Sequence, residues 1–154
     1  MSPMLLDRHA VQDLVYRSCI LLDAARYDDW LELLVPQFRY RIVAYSEEIR
    51  KDMVWLDHGP DELKALFKNL TSHVRVLGTF RRQVGVFEET ERSDNTIRIA
   101  SSVVVYHTTP AGASKLFALA HYNDVAVLNG EPRLQERTVH LETRQLDFGP
   151  HVIL

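Results

Sequence analysis

Seven histidines, one cysteine and a scatter of Asp, Glu and Tyr are the residues of this 154-residue chain that could do chemistry. The histidines invite a metal site, since neutral imidazole is a common ligand for zinc, copper and iron. Their spacing argues against one. No two stand four apart with a Glu between them, as on the helix of a zinc protease, and no His-x-His occurs. His140 and Glu142 would share one face of a strand, a spacing that chance often supplies. Cys19 sits within a helical apolar pattern with no nucleophile signature around it, and reads as a small buried hydrophobe. As the only cysteine, it excludes an internal disulfide and any cluster needing two thiolates from this chain. The six glycines are isolated, so no dinucleotide- or phosphate-cradling loop is present, and Gly-x-Ser-x-Gly is absent.

The stretch "RLQERTVHLETRQL", Arg133 to Leu146, alternates like a strand, yet polar groups fall on both faces. Arg137, Val139, Leu141 and Thr143 point one way; Glu136, Thr138, His140, Glu142 and Arg144 point the other. If "NGEP" is a four-residue loop with Leu128 facing Arg133, Asp124 stands opposite Arg137 and His121 opposite His140. A two-residue Asn-Gly turn would put Tyr122 opposite Arg137 instead; Asp124 is the better electrostatic match. Such a pair fixes register or meets a partner more readily than it performs acid/base catalysis. Were there a pocket, its acid or base would come from Tyr16 or Asp23 on the first helix, or from His107 or His121 on the strands.

The elements that must position these residues follow from a change of period. Val11, Leu14, Val15, Ser18, Leu22 and Ala25 recur at helical spacing and predict a helix from about Leu6 to Ala25. "DDWLELL" predicts a second short helix, with Asp28 as N-cap and Pro36 ending it. "QFRYRIVAY" reads as a strand with Phe38, Tyr40 and Ile42 in phase. In "HGPDELKALFKNL", Pro60 suits the first helical position, Asp61 and Glu62 suit the positive helix start, and Leu63, Leu66, Phe67 and Leu70 share a face. Extended segments follow at about Thr79–Glu89, Thr96–His107, Leu116–Leu128 and Arg133–Leu146, with turns at "RSDN", "TTPAGAS" and "NGEP" between them. Helices followed by a long antiparallel meander predict a single α+β domain over residues 1–154, its helices laid on one sheet face. "SVVVY" and "FALAHYNDVAVL" are apolar at both parities, so the other face needs a cover too. The chain has too few residues left to supply it, which predicts an oligomer.

A net charge of -3 gives no footprint for nucleic acid, and the pair Arg81–Arg82 is too small to change that. No apolar run approaches the length of a membrane-spanning helix. The opening "MSPMLLDRHAVQDL" lacks the features of a secretory signal, so a cytoplasmic location is expected.

The order of elements resembles the cystatin-like cone of nuclear transport factors, ketosteroid isomerases and scytalone dehydratase, in which N-terminal helices pack on a curved, mainly antiparallel sheet. Within that superfamily, "LLDAARYDDWLELL", "FRYRIVAY", "VRVLGTFRRQVG", "SVVVYHT" and above all "HYNDVAVLNGEPRLQERTVHLETRQL" resemble the small (beta) subunit of bacterial aromatic-ring-hydroxylating dioxygenases. The last stretch carries that family's Asp-containing strand, Gly turn and "R-x-V-x-L" strand as Asp124, Gly130, Arg137, Val139 and Leu141. "EEIRKDMVWLDHG" departs from the pattern, which leaves the local strand and loop unassigned. The resemblance implies a large (alpha) subunit holding a Rieske [2Fe–2S] cluster and a mononuclear non-haem iron, fed with electrons from NAD(P)H through a reductase. It also implies a small-subunit trimer beneath a trimer of large subunits. A Rieske cluster needs two Cys and two His, which one cysteine cannot meet, so no cofactor or metal is expected in this chain. A non-catalytic structural role follows, with Arg137, Glu142, Arg144 and Asp124 as interface or cross-strand candidates. The alternative is a stand-alone cone-fold dehydratase or isomerase using a pocket His or Asp as base.

Overall fold

The computed structural model describes residues 3–72, 78–144 and 153–154. Helix α1 spans Pro3–Asp23, α2 Tyr27–Leu31 and α3 Pro60–Ser72; the strands are β1 Leu34–Ser46, β2 Lys51–His58, β3 Thr79–Arg92, β4 Thr96–Thr108, β5 Ser114–Val127 and β6 Arg133–Leu141. They form a six-stranded sheet in the order β2-β1-β6-β5-β4-β3. Every neighbouring pair is antiparallel except β1 with β6, which run parallel. The helices cover one face. No helix among the described residues is long and apolar enough to cross a membrane.

The predicted apolar stripe of α1 is the buried one: Val11, Leu14, Val15, Ser18 and Leu22 are all inside. Ala25, predicted within it, belongs instead to the helix stop. It adopts φ 55° and is exposed, while its N–H donates to the Leu22 carbonyl at 3.0 Å and that of Arg26 to the Leu21 carbonyl at 2.9 Å. This is a Schellman motif with alanine where glycine is the usual residue.

The second helix also differs from expectation. It begins at Tyr27, so Asp28 is a first-turn residue beside Asp29 rather than the N-cap; Arg26 takes the cap position with no side-chain cap bond. Both carboxylates favour the positive helix start. The helix ends at Leu31, and Pro36 lies inside β1 where the β1–β6 register shifts, a place where a strand tolerates a missing N–H. Trp30 plugs the gap among Phe38, Tyr40 and Phe67, meeting each edge-on at centroid distances of 5.6–6.4 Å.

Helix α3 starts at Pro60 as the sequence predicts. Glu62 reaches back to accept the Gly59 N–H at 3.3 Å, half of a capping box. That N–H, followed by the neighbouring His58, holds the Glu62 carboxyl below its ordinary value. Leu63 and Phe67 are fully inside, and Leu66 and Leu70 pack partly against the same core.

Strand β2 is the element that the sequence left unassigned. It is an edge strand, and of its eight residues only Leu56 is buried. Strand β6 ends at Leu141, earlier than predicted; Gln145 and Leu146 of the predicted strand, like Val74–Leu77 of "VRVLG", lie outside the described residues. Register shifts interrupt β1/β2, β3/β4, β4/β5 and β5/β6, each an irregularity that bends and twists a sheet.

Replacing Ala25 by Gly should raise stability by about 1 kcal/mol, because the left-handed conformation costs an L-residue roughly that much. A urea midpoint that stays put or falls would show that the strain is relieved elsewhere.

Candidate functional site

Two groups of polar residues lie inside the helix–sheet layer, and a third set of features lies on its outer face. The first group is the cross-strand pair that the sequence suggests. Asp124 on β5 and Arg137 on β6 are partners in register, as are His121 and His140, while toward the turn the pairing slips by one, so that Val127 faces Arg133. Arg137 donates to Asp124 twice, Nε to Oδ1 at 2.8 Å and Nη2 to Oδ2 at 3.0 Å. Nη2 also donates to Ser18 Oγ on α1 at 2.9 Å, and the guanidinium lies 4.0 Å from the centre of the Tyr122 ring. Both members are 0% exposed. They cannot form a surface interface in this fold, which corrects that expectation and leaves the cross-strand role. Burial works against the arginine's charge, yet the Asp124 carboxylate more than offsets it and the Arg137 pKa is raised. Cys19 is buried next to Tyr122, and burial pushes its thiol up, away from the thiolate that reactivity requires.

The second group closes one end of the layer. Asp23 at the end of α1 accepts from the Arg82 backbone N–H at 3.1 Å and from Arg82 Nη1 at 2.7 Å. Arg82 Nη2 donates to the Ile153 carbonyl. Deeper in, the Tyr40 hydroxyl accepts from the Leu154 N–H at 2.9 Å and donates to the Leu154 carbonyl at 3.2 Å. Tyr40 is fully buried, and burial raises its pKa far above the phenol range. A cavity of about 340 Å³ remains beside Ile153, lined by Asp23, Tyr27, Leu70, Phe80 and Arg82 among others.

The outer face carries a row of residues across all six strands: Val54, Val43, His140, His121, Ser102 and Gly85. The rings of His121 and His140 stack with centroids 4.6 Å apart and planes 5° from parallel. Burial, then the neighbouring His121, lowers the His140 pKa, opposed by Asp52. Tyr106, Leu116 and Leu119 are exposed together on β4 and β5, and Tyr45 and Val54 on β1 and β2. Toward the other end the face is charged: Arg39 Nε and Arg41 Nε approach Asp57 at 3.1 and 3.4 Å, and Arg41 reaches Glu136 at 3.3 Å.

The residues nominated as pocket acids or bases do not converge. Tyr16 is exposed and packs edge-on against Phe87, and His121 is on the outer face. His107 is buried against Phe80, and Asp23 is committed to Arg82. Glu142 and Arg144 are exposed just beyond β6. Sequence reading missed Arg82 and Tyr40 as interior anchors. The only signal for them was in-phase placement, Tyr40 with Phe38 and Ile42, and Arg82 with Phe80 and Val84. Among the described residues, no group of three or more His, Cys, Asp and Glu side chains could hold a metal ion.

Changing Arg137 to Met should cost about 3–5 kcal/mol, because it strands a buried carboxylate, whereas Arg137→Met with Asp124→Leu should recover most of the loss. Equal urea midpoints for the single and double variants would contradict this. For His140, a folded pKa below the unfolded one means that the unfolded chain binds the proton more tightly. The stabilisation is present above about pH 6.5 and is lost as pH falls through the folded value. His140→Asn should therefore flatten the fall in the urea midpoint between neutral and mildly acidic pH.

The SnoaL-like domain model matches residues 3–137. The beta subunit of 2-aminobenzenesulfonate 2,3-dioxygenase from an Alcaligenes species is 31% identical, over 96% of this chain and 99% of its own length. The hydroxylase beta subunit of methanesulfonate monooxygenase from Methylosulfonomonas methylovora is also 31% identical, over 92% and 84%. Among solved structures, the Novosphingobium aromaticivorans protein assigned as the beta subunit of an aromatic-ring-hydroxylating dioxygenase superposes with a TM-score of 0.84 at 20% identity, covering 94% of each chain. The cone expected from the sequence is the fold they share. This chain belongs to the SnoaL-like domain family and, within it, to the beta subunits of the ring-hydroxylating oxygenases.

Proposed function

We propose that this chain is the non-catalytic small subunit of a multi-subunit oxygenase in the cytoplasm. In this reading a large subunit carries the Rieske cluster and the mononuclear iron and receives electrons from NAD(P)H through a reductase. The observation that carries the reading is a match to a named beta subunit that runs nearly the full length of both chains. The interior supports it: Asp124 and Arg137 neutralise one another out of reach of solvent, and Asp23 is held by Arg82. The scatter of Tyr16, Asp23, His107 and His121 disfavours the stand-alone dehydratase or isomerase.

The outer sheet face is the seat of a neighbouring subunit in this proposal. Tyr106, Leu116 and Leu119 supply its apolar part, the Arg39–Asp57–Arg41 group its charged part, and Glu142 and Arg144 lie exposed just past β6 as further contacts. Aromatic residues and arginines are what interfaces favour. The assembly is three small subunits beneath three large ones. Both relatives are named for sulfonates, which favours a sulfonated substrate in the large subunit.

The test is affinity capture of the tagged chain from its native host, with iron and acid-labile sulfide measured in what co-purifies. The capture is followed by oxygen uptake on 2-aminobenzenesulfonate against an unsulfonated aromatic. A large iron–sulfur protein in equal amount is expected, and Leu119→Asp should deplete it at least about tenfold. A chain that comes down alone overturns the proposal.

A further inference from the structure

His121 and His140 stand in the middle of the outer face, in register with one another on β5 and β6, the two central strands of the sheet. Their rings are stacked, parallel within 5° and with centroids 4.6 Å apart. Two neutral imidazoles, or one neutral and one charged, fit such a stack; two imidazolium ions at that separation repel one another, the more so where water is excluded. The His140 pKa is already lowered in the free chain, by burial and then by His121, against the pull of Asp52.

The surroundings hold little to offset a second positive charge. Beside the pair in register stand Val43 on β1 and Ser102 on β4, with Val54 on β2 and Gly85 on β3 beyond them. Alternation places Leu119 and Asn123 next along β5, and Thr138 and Glu142 next along β6. Asp52 and Glu142 are exposed, so their charges are screened by water. Arg98 on β4 donates to Asn123 at 3.2 Å and adds positive charge on that side, while Arg41 on β1 is taken up by Asp57 and Glu136. A subunit seated on this face strips water from the stack, and desolvation disfavours the charged form of a histidine.

We propose that the His121–His140 stack is a proton-operated release for the subunit that covers the outer face. With both rings neutral the face closes; protonation of both puts two like charges in the middle of the contact and opens it. The inference rests on the small-subunit reading for the presence of a covering subunit, and adds the condition under which that subunit leaves. Protons that weaken the contact are, by linkage, given up when it forms. The contact is therefore at full strength above the range where the free pair titrates, and is lost as pH falls below it.

The experiment purifies the native assembly through a tag on this chain and follows it by sedimentation velocity at about pH 7.5 and about pH 5.5, on either side of the ordinary histidine range, beside the His121→Asn/His140→Asn assembly. The fraction of parent chain set free should rise at least about tenfold on acidification, and that of the variant less than about twofold. A parent assembly that holds its mass, or a variant that dissociates as the parent does, overturns the proposal and leaves the small-subunit reading standing. A chain that sediments alone at neutral pH overturns both. Should the variant fail to assemble at neutral pH, the parent decides: dilution calorimetry at about pH 6.5, in two buffers of different ionisation enthalpy, should show protons taken up on dissociation, and no uptake overturns the proposal.

Discussion

The ion pair between Arg137 and Asp124 is the constraint on which the remaining architecture depends. It crosses the β5–β6 ladder, is tied to α1 through Ser18 and lies over the face of Tyr122. A charge with no access to water is tolerated only when its partner is in place. A one-residue slip of β6 would carry Arg137 to the outer face, leave Asp124 stranded and turn Val139 and Leu141 out of the core. The pair therefore selects the register of the central strands, and with it which side chains reach the outer face.

Inside and outside have been put to different uses. Within, each described carboxylate that reaches the core is matched by an arginine, Asp124 by Arg137 and Asp23 by Arg82, and the deepest tyrosine is engaged by backbone. Matched charges of this kind hold structure. Outside, aromatic and aliphatic side chains stand beside an arginine–carboxylate group on a broad sheet. That outer face is the one the proposed small-subunit role would use.

Much of this was legible in the sequence where periodicity and local chemistry agree. Pro60, Asp61 and Glu62 announce α3, whereas the apolar residues of "SVVVY" fall at both parities, so the buried set Ile97, Ile99, Val103 and Val105 of β4 is chosen by the structure. The opposition of Asp124 and Arg137 follows from charge matching, but whether the pair faces core or solvent does not, because alternation assigns sides without saying which is inside. Leu141 and Val139 in phase with Arg137 pointed inward; the charge of Arg137 pointed outward, and the paired carboxylate resolved the conflict. Strand β2 escaped because an edge strand with one buried residue has almost no pattern. Ala25 was misplaced because a residue type with high helix propensity was used at a left-handed stop. The anchoring of Ile153 and Leu154 is a tertiary matter between distant segments, with no local signal.

The parallel pairing of β1 with β6 has a consequence for how the chain acquires its structure. Tyr40, Ile42 and Ala44 find their ladder partners in Arg137, Val139 and Leu141, each 97 residues further along the sequence. Closing so long a loop is entropically slow, and the meander of β3 to β6 can zip by short hairpins first. On a ribosome, β1 and β2 emerge early yet wait for the last strand before they gain a neighbour on the inner side of the sheet. Until then β1 is paired on one side only, by β2, which makes its other edge the one most in need of protection during synthesis.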